Sequence, residues 1–94
     1  MNVNEKKSWK SFVQMVLKIK TPRQFEEFAE FVFTQEERDQ LATRILLTRE
    51  LLKEDKTQRQ IADEFNISIA KITRGSNSIK RLSDKLRNFL KQHC

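Results

Sequence analysis

Gln58-Arg-Gln-Ile-Ala-Asp-Glu-Phe-Asn-Ile-Ser-Ile-Ala-Lys-Ile72 is the stretch that decides the fold. Ile61 and Phe65 share one helix face, and Ala62 beside them is small enough for a second helix to cross closely. Asn66 is the non-glycine type most easily held at positive φ, which a sharp turn between two helices requires. Ser68 is an N-cap type that opens the second helix, and Ile67 and Ile72 close a small core. The segment therefore predicts a helix-turn-helix, a unit that offers the first turn of its second helix to duplex DNA. Ile69, Ala70, Lys71, Thr73 and Arg74 lie on or near that turn, with small and apolar groups suited to thymine methyls and polar ones to base edges or phosphates. Lys80 and Arg81 extend the basic surface. The plainer alternative is a helical hairpin with a charged face, but crossing Ala, turn Asn and cap Ser coincide here.

Working outward, the rest of the chain also reads as helix. Glycine and proline occur once each, tyrosine is absent, and β-branched residues are scattered rather than alternating with polar ones. Trp9, Phe12, Val13, Val16 and Leu17 follow the stripe of an amphipathic first helix that ends before Pro22. Phe25, Phe28, Ala29 and Val32 mark a second. Thr34 with Glu37 forms a capping box opening a third, whose Leu41, Ala42, Ile45, Leu51 and Leu52 run along one side while Leu46 and Leu47 widen the apolar surface. Lys53-Glu-Asp-Lys56 is a charged connection, Thr57 with Gln60 repeats the capping box, and Ser83 caps a last helix whose Leu86, Phe89 and Leu90 are expected to face inward. The expectation is an all-α, six-helix domain over 1–94, divided into a dimerisation core (1–56), a reading head (57–81) and a C-terminal core helix (82–94).

Composition narrows the function classes. A chain of 94 residues has room for one modest core, and its seven phenylalanines and broad third helix exceed what one antiparallel neighbour would cover, so a second subunit is expected. Nineteen Lys and Arg against thirteen Asp and Glu give a net charge of +6, which favours an anionic partner such as nucleic acid. A lone Cys94 beside a lone His93 supplies neither an intrachain disulfide nor a zinc set, so no metal is expected. No run approaches the roughly 18 apolar residues of a membrane span, and the polar N-terminus has no secretory h-region, so a cytoplasmic protein with no membrane partner is expected. Catalysis lacks its parts: the one histidine is terminal, no carboxylates cluster with a nucleophile, and no Gly-rich phosphate loop exists. The protein is not expected to be an enzyme.

Gly75, the single glycine, falls within the helix that follows the turn, where it costs about 0.5 to 1 kcal/mol against alanine. Its use is to admit something against the backbone, which points to a ligand. At this point the residues take on a family likeness. Gln58-Arg59, Ile72-Thr-Arg-Gly-Ser-Asn-Ser-Ile-Lys80, Thr34-Gln-Glu-Glu-Arg38 and Leu41-Ala-Thr-Arg44 resemble the tryptophan repressor family, over nearly the whole chain and without gaps. The resemblance implies an intertwined homodimer that binds double-stranded, pseudo-palindromic operator DNA only when its corepressor L-tryptophan is present. It further implies that Arg44 and Arg74 sandwich the indole ring, that Gly75 leaves room beside it and that Ser78 offers a polar contact. A flat cation over an indole face is worth roughly 0.5 to 2 kcal/mol, and Arg74 can also pair with the ligand carboxylate.

The corner Phe31-Val-Phe-Thr34 would read the zwitterion: the last carbonyls of the second helix attract the ammonium, and the N-terminus of the third favours the carboxylate. In the family these groups come from the partner subunit. Candidate DNA contacts are Gln58, Arg59, Ile69, Ala70, Lys71, Thr73 and Lys80. Phe31 and Phe33 are bulkier than the aliphatic residues expected of the family, which bears on the shape of the pocket. The turn Asn66-Ile67-Ser68 is richer in side chains than the family's small-residue turn, and Lys71 adds a charge to the reading helix, which bears on the operator sequence.

Other uses compete. Arg44 and Arg74 could form surface ion pairs with Glu37 or Glu50. The chain could also be a helix-turn-helix protein answering to another metabolite or to none, or a basic helical module that binds a protein through its phenylalanines. The last predicts little salt dependence, whereas phosphate contacts impose a steep loss of affinity with salt.

Overall fold

The computed structural model describes residues 1–94. The chain is all-helical, with α1 (Val3–Lys18), α2 (Pro22–Val32), α3 (Gln35–Lys53), α4 (Gln58–Phe65), α5 (Ile69–Lys80) and α6 (Asp84–His93). Local caps set these boundaries. Thr34 Oγ1 accepts from the Glu37 amide at 3.1 Å while the Glu37 carboxylate accepts from the Thr34 amide at 2.9 Å, and Thr57 with Gln60 repeats the arrangement. Ser68 and Ser83 accept from Lys71 and Leu86. Asn2 and Thr21 cap α1 and α2 in the same manner, and Pro22 opens α2 where its missing N–H costs nothing. The sequence reading had not singled out these two caps.

The chain divides into two compact units, Met1–Arg38 and Asp39–Cys94. In the first, Phe12 is the hub: its ring lies 5.3 Å from Trp9, 5.9 Å from Phe28 and 6.0 Å, edge-on, from Phe33. Neither α1 nor α2 has a fully buried residue, and Trp9, Val13 and Leu17 of the predicted stripe stay exposed.

In the second unit, Ile61, Ile72 and Leu47 are buried, with Leu51, Ala62, Phe65 and Ile67 packed against them. This small core fastens α4 and α5 to the C-terminal half of α3. Leu41 and Ile45 remain exposed, and so do Leu86 and Phe89. The last two correct the expectation that they face inward. Within a single chain they stay 44% and 57% exposed, and Phe89 rests against His93 at 4.7 Å between ring centroids.

Candidate effector and nucleic-acid site

The turn between α4 and α5 owes its sharpness to Asn66, held at φ 54° and ψ 49°, whose amide donates back to the Ala62 carbonyl. That is the left-handed conformation that asparagine tolerates better than other side chains. Ser68 then starts α5, so Ile69, Ala70 and Lys71 of its first turn are all exposed. Thr73 is exposed one turn on, and its hydroxyl donates to Gln58 Oε1 at 3.0 Å, leaving the amide NH2 of Gln58 available as a donor. Arg59 and Lys80 are exposed as well. Between Glu64 and Asp84 every charged residue is basic: Lys71, Arg74, Lys80 and Arg81. The candidate contacts therefore sit on α4 and α5; α5 carries no negative charge to repel a polyanion, whereas α4 carries Asp63 and Glu64 near its end.

Gly75 lies mid-helix without a positive φ, and a methyl group there would meet only Leu51 Cδ1, at an ordinary 3.5 Å. Neither its backbone nor its neighbours within the chain call for a glycine. Arg44 lies seven residues before Leu51 on α3, two turns away on the same face and about 10 Å along the axis. Arg74 precedes Gly75 and Ser78 follows it by three, the spacing of adjacent helix positions. Arg44 and Arg74 are both exposed, and the only bond made by the Arg74 guanidinium is a long one from Nε to the Ala70 carbonyl at 3.5 Å.

Within the chain neither arginine is ion-paired with Glu37 or Glu50. Glu37 closes the α3 capping box, and Glu50, only 5% exposed, holds Lys53 and Lys56 at 2.8 Å each. Hydrogen bonds from Lys53 and Lys56 pull the Glu50 carboxyl down from 4.5 to about 2, against the opposing push of burial. Hydrogen bonds from Glu50 and then Glu64 raise Lys56 in turn.

Within the first unit, Phe31 is 88% exposed, whereas Phe33 is half-buried against Phe12. The Phe33 carbonyl accepts from Arg38 Nη1 at 2.9 Å, and the same guanidinium reaches Glu30 O at 3.3 Å and Gln35 Oε1 at 2.8 Å. Arg38 thus caps the end of α2, leaving one lone pair on the Phe33 carbonyl. Sequence reasoning noted Arg38 only as part of the family resemblance and gave it no role. Its one signal was its place a turn beyond a run of helix-terminal carbonyls. Thr34, with its amide and hydroxyl, serves the α3 cap. No group of three or more His, Cys, Asp or Glu is placed to hold a metal ion, and no helix is long and apolar enough to cross a membrane.

Comparison with known proteins agrees with the resemblance. The Trp repressor protein family matches residues 7–94. The chain is 45% identical over 83 residues to a Trp operon repressor homolog of Chlamydia caviae, covering 88% of this chain and 82% of the relative. Homologs of the same description from Chlamydia trachomatis serovar D (33% identical, 98% of both chains) and Vibrio campbellii (37% identical, 94% of this chain and 92% of the relative) match it along almost their full lengths. A family match that takes in both the capped all-helical framework and the Thr73-to-Ser78 segment leaves no other assignment: this chain belongs to the Trp repressor family.

Proposed function

We propose that this protein is an L-tryptophan-dependent transcriptional repressor that binds a pseudo-palindromic operator as a homodimer. The observation that carries the reading is the conjunction on α5 of a first half whose charged residues, Lys71 and Arg74, are both basic and exposed with a glycine that the chain's own packing does not need. The first suits a phosphate-lined groove and the second suits a flat ligand lying against the helix. Relatives described as Trp operon repressor homologs support the identity of both partners.

In this reading Arg44 and Arg74 stack on the indole faces, Arg74 also pairs with the carboxylate, and Ser78 supplies a polar contact. The partner subunit's corner, in the segment corresponding to Phe31–Thr34, completes the cradle. Exposed Leu41, Ile45, Leu86 and Phe89 offer the apolar surface for the second subunit. Ligand bound against α5 favours the orientation of α4 and α5 that matches duplex grooves, in proportion to its differential affinity for that orientation. By linkage, operator DNA tightens tryptophan binding by the same factor.

Titration of a labelled pseudo-palindromic duplex, with and without saturating L-tryptophan, tests the proposal. Tight, salt-sensitive binding is expected only with the ligand, and equal affinity in both conditions would defeat the switch.

A further inference from the structure

We propose that Lys56 is a positioning residue that fixes the reading head on the end of α3, an inference that rests on the DNA-binding reading above. Lys56 is the one residue of the 54–57 connection that is not exposed. Its Nζ lies 2.8 Å from Glu50 Oε1 and 2.8 Å from Glu64 Oε2, and 5.3 Å from the centroid of the Phe65 ring. Glu50 belongs to α3, while Glu64 and Phe65 are the last two residues of α4. One ammonium therefore ties the end of α3 to the end of α4, from the short segment between them.

The geometry separates this arrangement from an ordinary surface pair. Glu50 is buried, so its carboxylate depends on the partners it has, and one of its oxygens is given to Lys56 while the other takes Lys53. Phe65, under the ammonium, packs against the Leu47, Ile61 and Ile72 core on which α5 also rests. Glu54, at φ 56°, turns the connection tightly, which leaves few residues to take up slack. All three ammonium contacts, with buried Glu50, half-exposed Glu64 and the Phe65 ring, are made within the chain, so Lys56 is engaged in holding α4 rather than free for a phosphate. It acts on DNA through the placement of Gln58 and the first turn of α5.

The test uses the full chain with L-tryptophan and the operator duplex. Lys56→Met is expected to weaken duplex binding roughly tenfold, the scale of coupling within one ion-pair network. The slope of log affinity against log salt should stay that of the unmodified protein, whereas loss of a phosphate contact would shrink it by about 0.9. Lys56→Arg should restore binding, since a guanidinium can span both carboxylates. Glu64→Gln, which leaves the buried pair intact, should cost roughly threefold, and it decides the matter if Lys56→Met does not fold.

Hydrogen exchange without DNA gives a reading independent of operator binding. Amides of α4 should exchange faster in Lys56→Met while those of α1 and α2 do not. Wild-type affinity in both Lys56→Met and Glu64→Gln, or a slope reduced by about one, would overturn the inference. If the unmodified protein bound no duplex, the DNA-binding reading would fall on that result. Unchanged α4 exchange would separately refute the role of Lys56.

Discussion

Gly75 and Leu51 stand at ordinary van der Waals spacing once a methyl group is placed on the glycine, 3.5 Å from Leu51 Cδ1. A glycine that its surroundings would let become alanine is a helix defect the fold could repair. Gly75→Ala should therefore raise stability by about 0.5 to 1 kcal/mol through helix propensity alone. On the proposed reading the indole lies against Gly75, so the same methyl takes space from it and tryptophan affinity should fall. Melting curves and calorimetric titration of one variant then move in opposite directions. A loss of stability would mean that glycine serves the fold rather than the ligand.

Asn66 offers a second test because its strain is local. At φ 54° and ψ 49° a residue with a plain Cβ is penalised, glycine is not, and asparagine sits between them. Asn66→Ala should lower stability by about 1 kcal/mol, whereas Asn66→Gly should be neutral or slightly favourable. Urea denaturation of the two variants side by side checks the order.

These positions also show how much could be read from the chain beforehand. Thr34 with Glu37, Thr57 with Gln60, Ser68, Asn66 and Ser83 behave as expected because each acts on backbone within four residues. The acid-free run from Lys71 to Arg81 is likewise a sequence property. Arg38 and Lys56 are different. Arg38 reaches back five residues to the Phe33 carbonyl and eight to that of Glu30, and Lys56 joins residues six before and eight after itself. Lys53–Lys56 reads from sequence only as a charged connection, because nothing in a row of charges says which of them a buried carboxylate will select. Leu86 and Phe89 mislead for another reason: an apolar stripe tells that a face seeks cover without saying which chain supplies it.

The carboxylate buried at position 50 makes stability depend on acid. Lys53 and Lys56 hold its pKa at about 2, below its ordinary 4.5, so the folded state binds its proton less readily than the unfolded chain does. For a depressed carboxyl the stabilisation is fully present above 4.5 and is lost as pH falls from there through about 2. Lys56 works in the opposite sense: its raised pKa gives a contribution present below 10.5 and lost on the alkaline side. Urea midpoints measured from pH 6 to pH 2 should thus fall more steeply for the unmodified protein than for Glu50→Gln. The variant is the weaker at neutral pH, and the two curves should approach each other at the acid end. Parallel curves over that window would show that Glu50 is not held in its charged form by the two lysines.

The hydrogen bond from Thr73 to Gln58 links the start of α4 to the exposed face of α5, and it offers a test of the proposed DNA contacts. Because the threonine hydroxyl donates to the amide oxygen, the amide is fixed with its NH2 as the free donor, the polarity that a phosphate or base acceptor needs. Thr73→Val preserves shape and removes the anchor, so operator affinity should drop about fivefold, the worth of roughly 1 kcal/mol from one neutral hydrogen bond, with the salt slope unchanged. Gln58→Glu keeps an acceptor for Thr73 but exchanges the outward donor for a negative charge, and it should weaken binding further than Thr73→Val. The deficit of Gln58→Glu should widen at low salt, where repulsion from the phosphates is least screened. If instead the glutamate variant bound as well as the unmodified protein at every salt concentration, Gln58 would lie away from the duplex and the edge of the interface would have to be drawn through α5 alone.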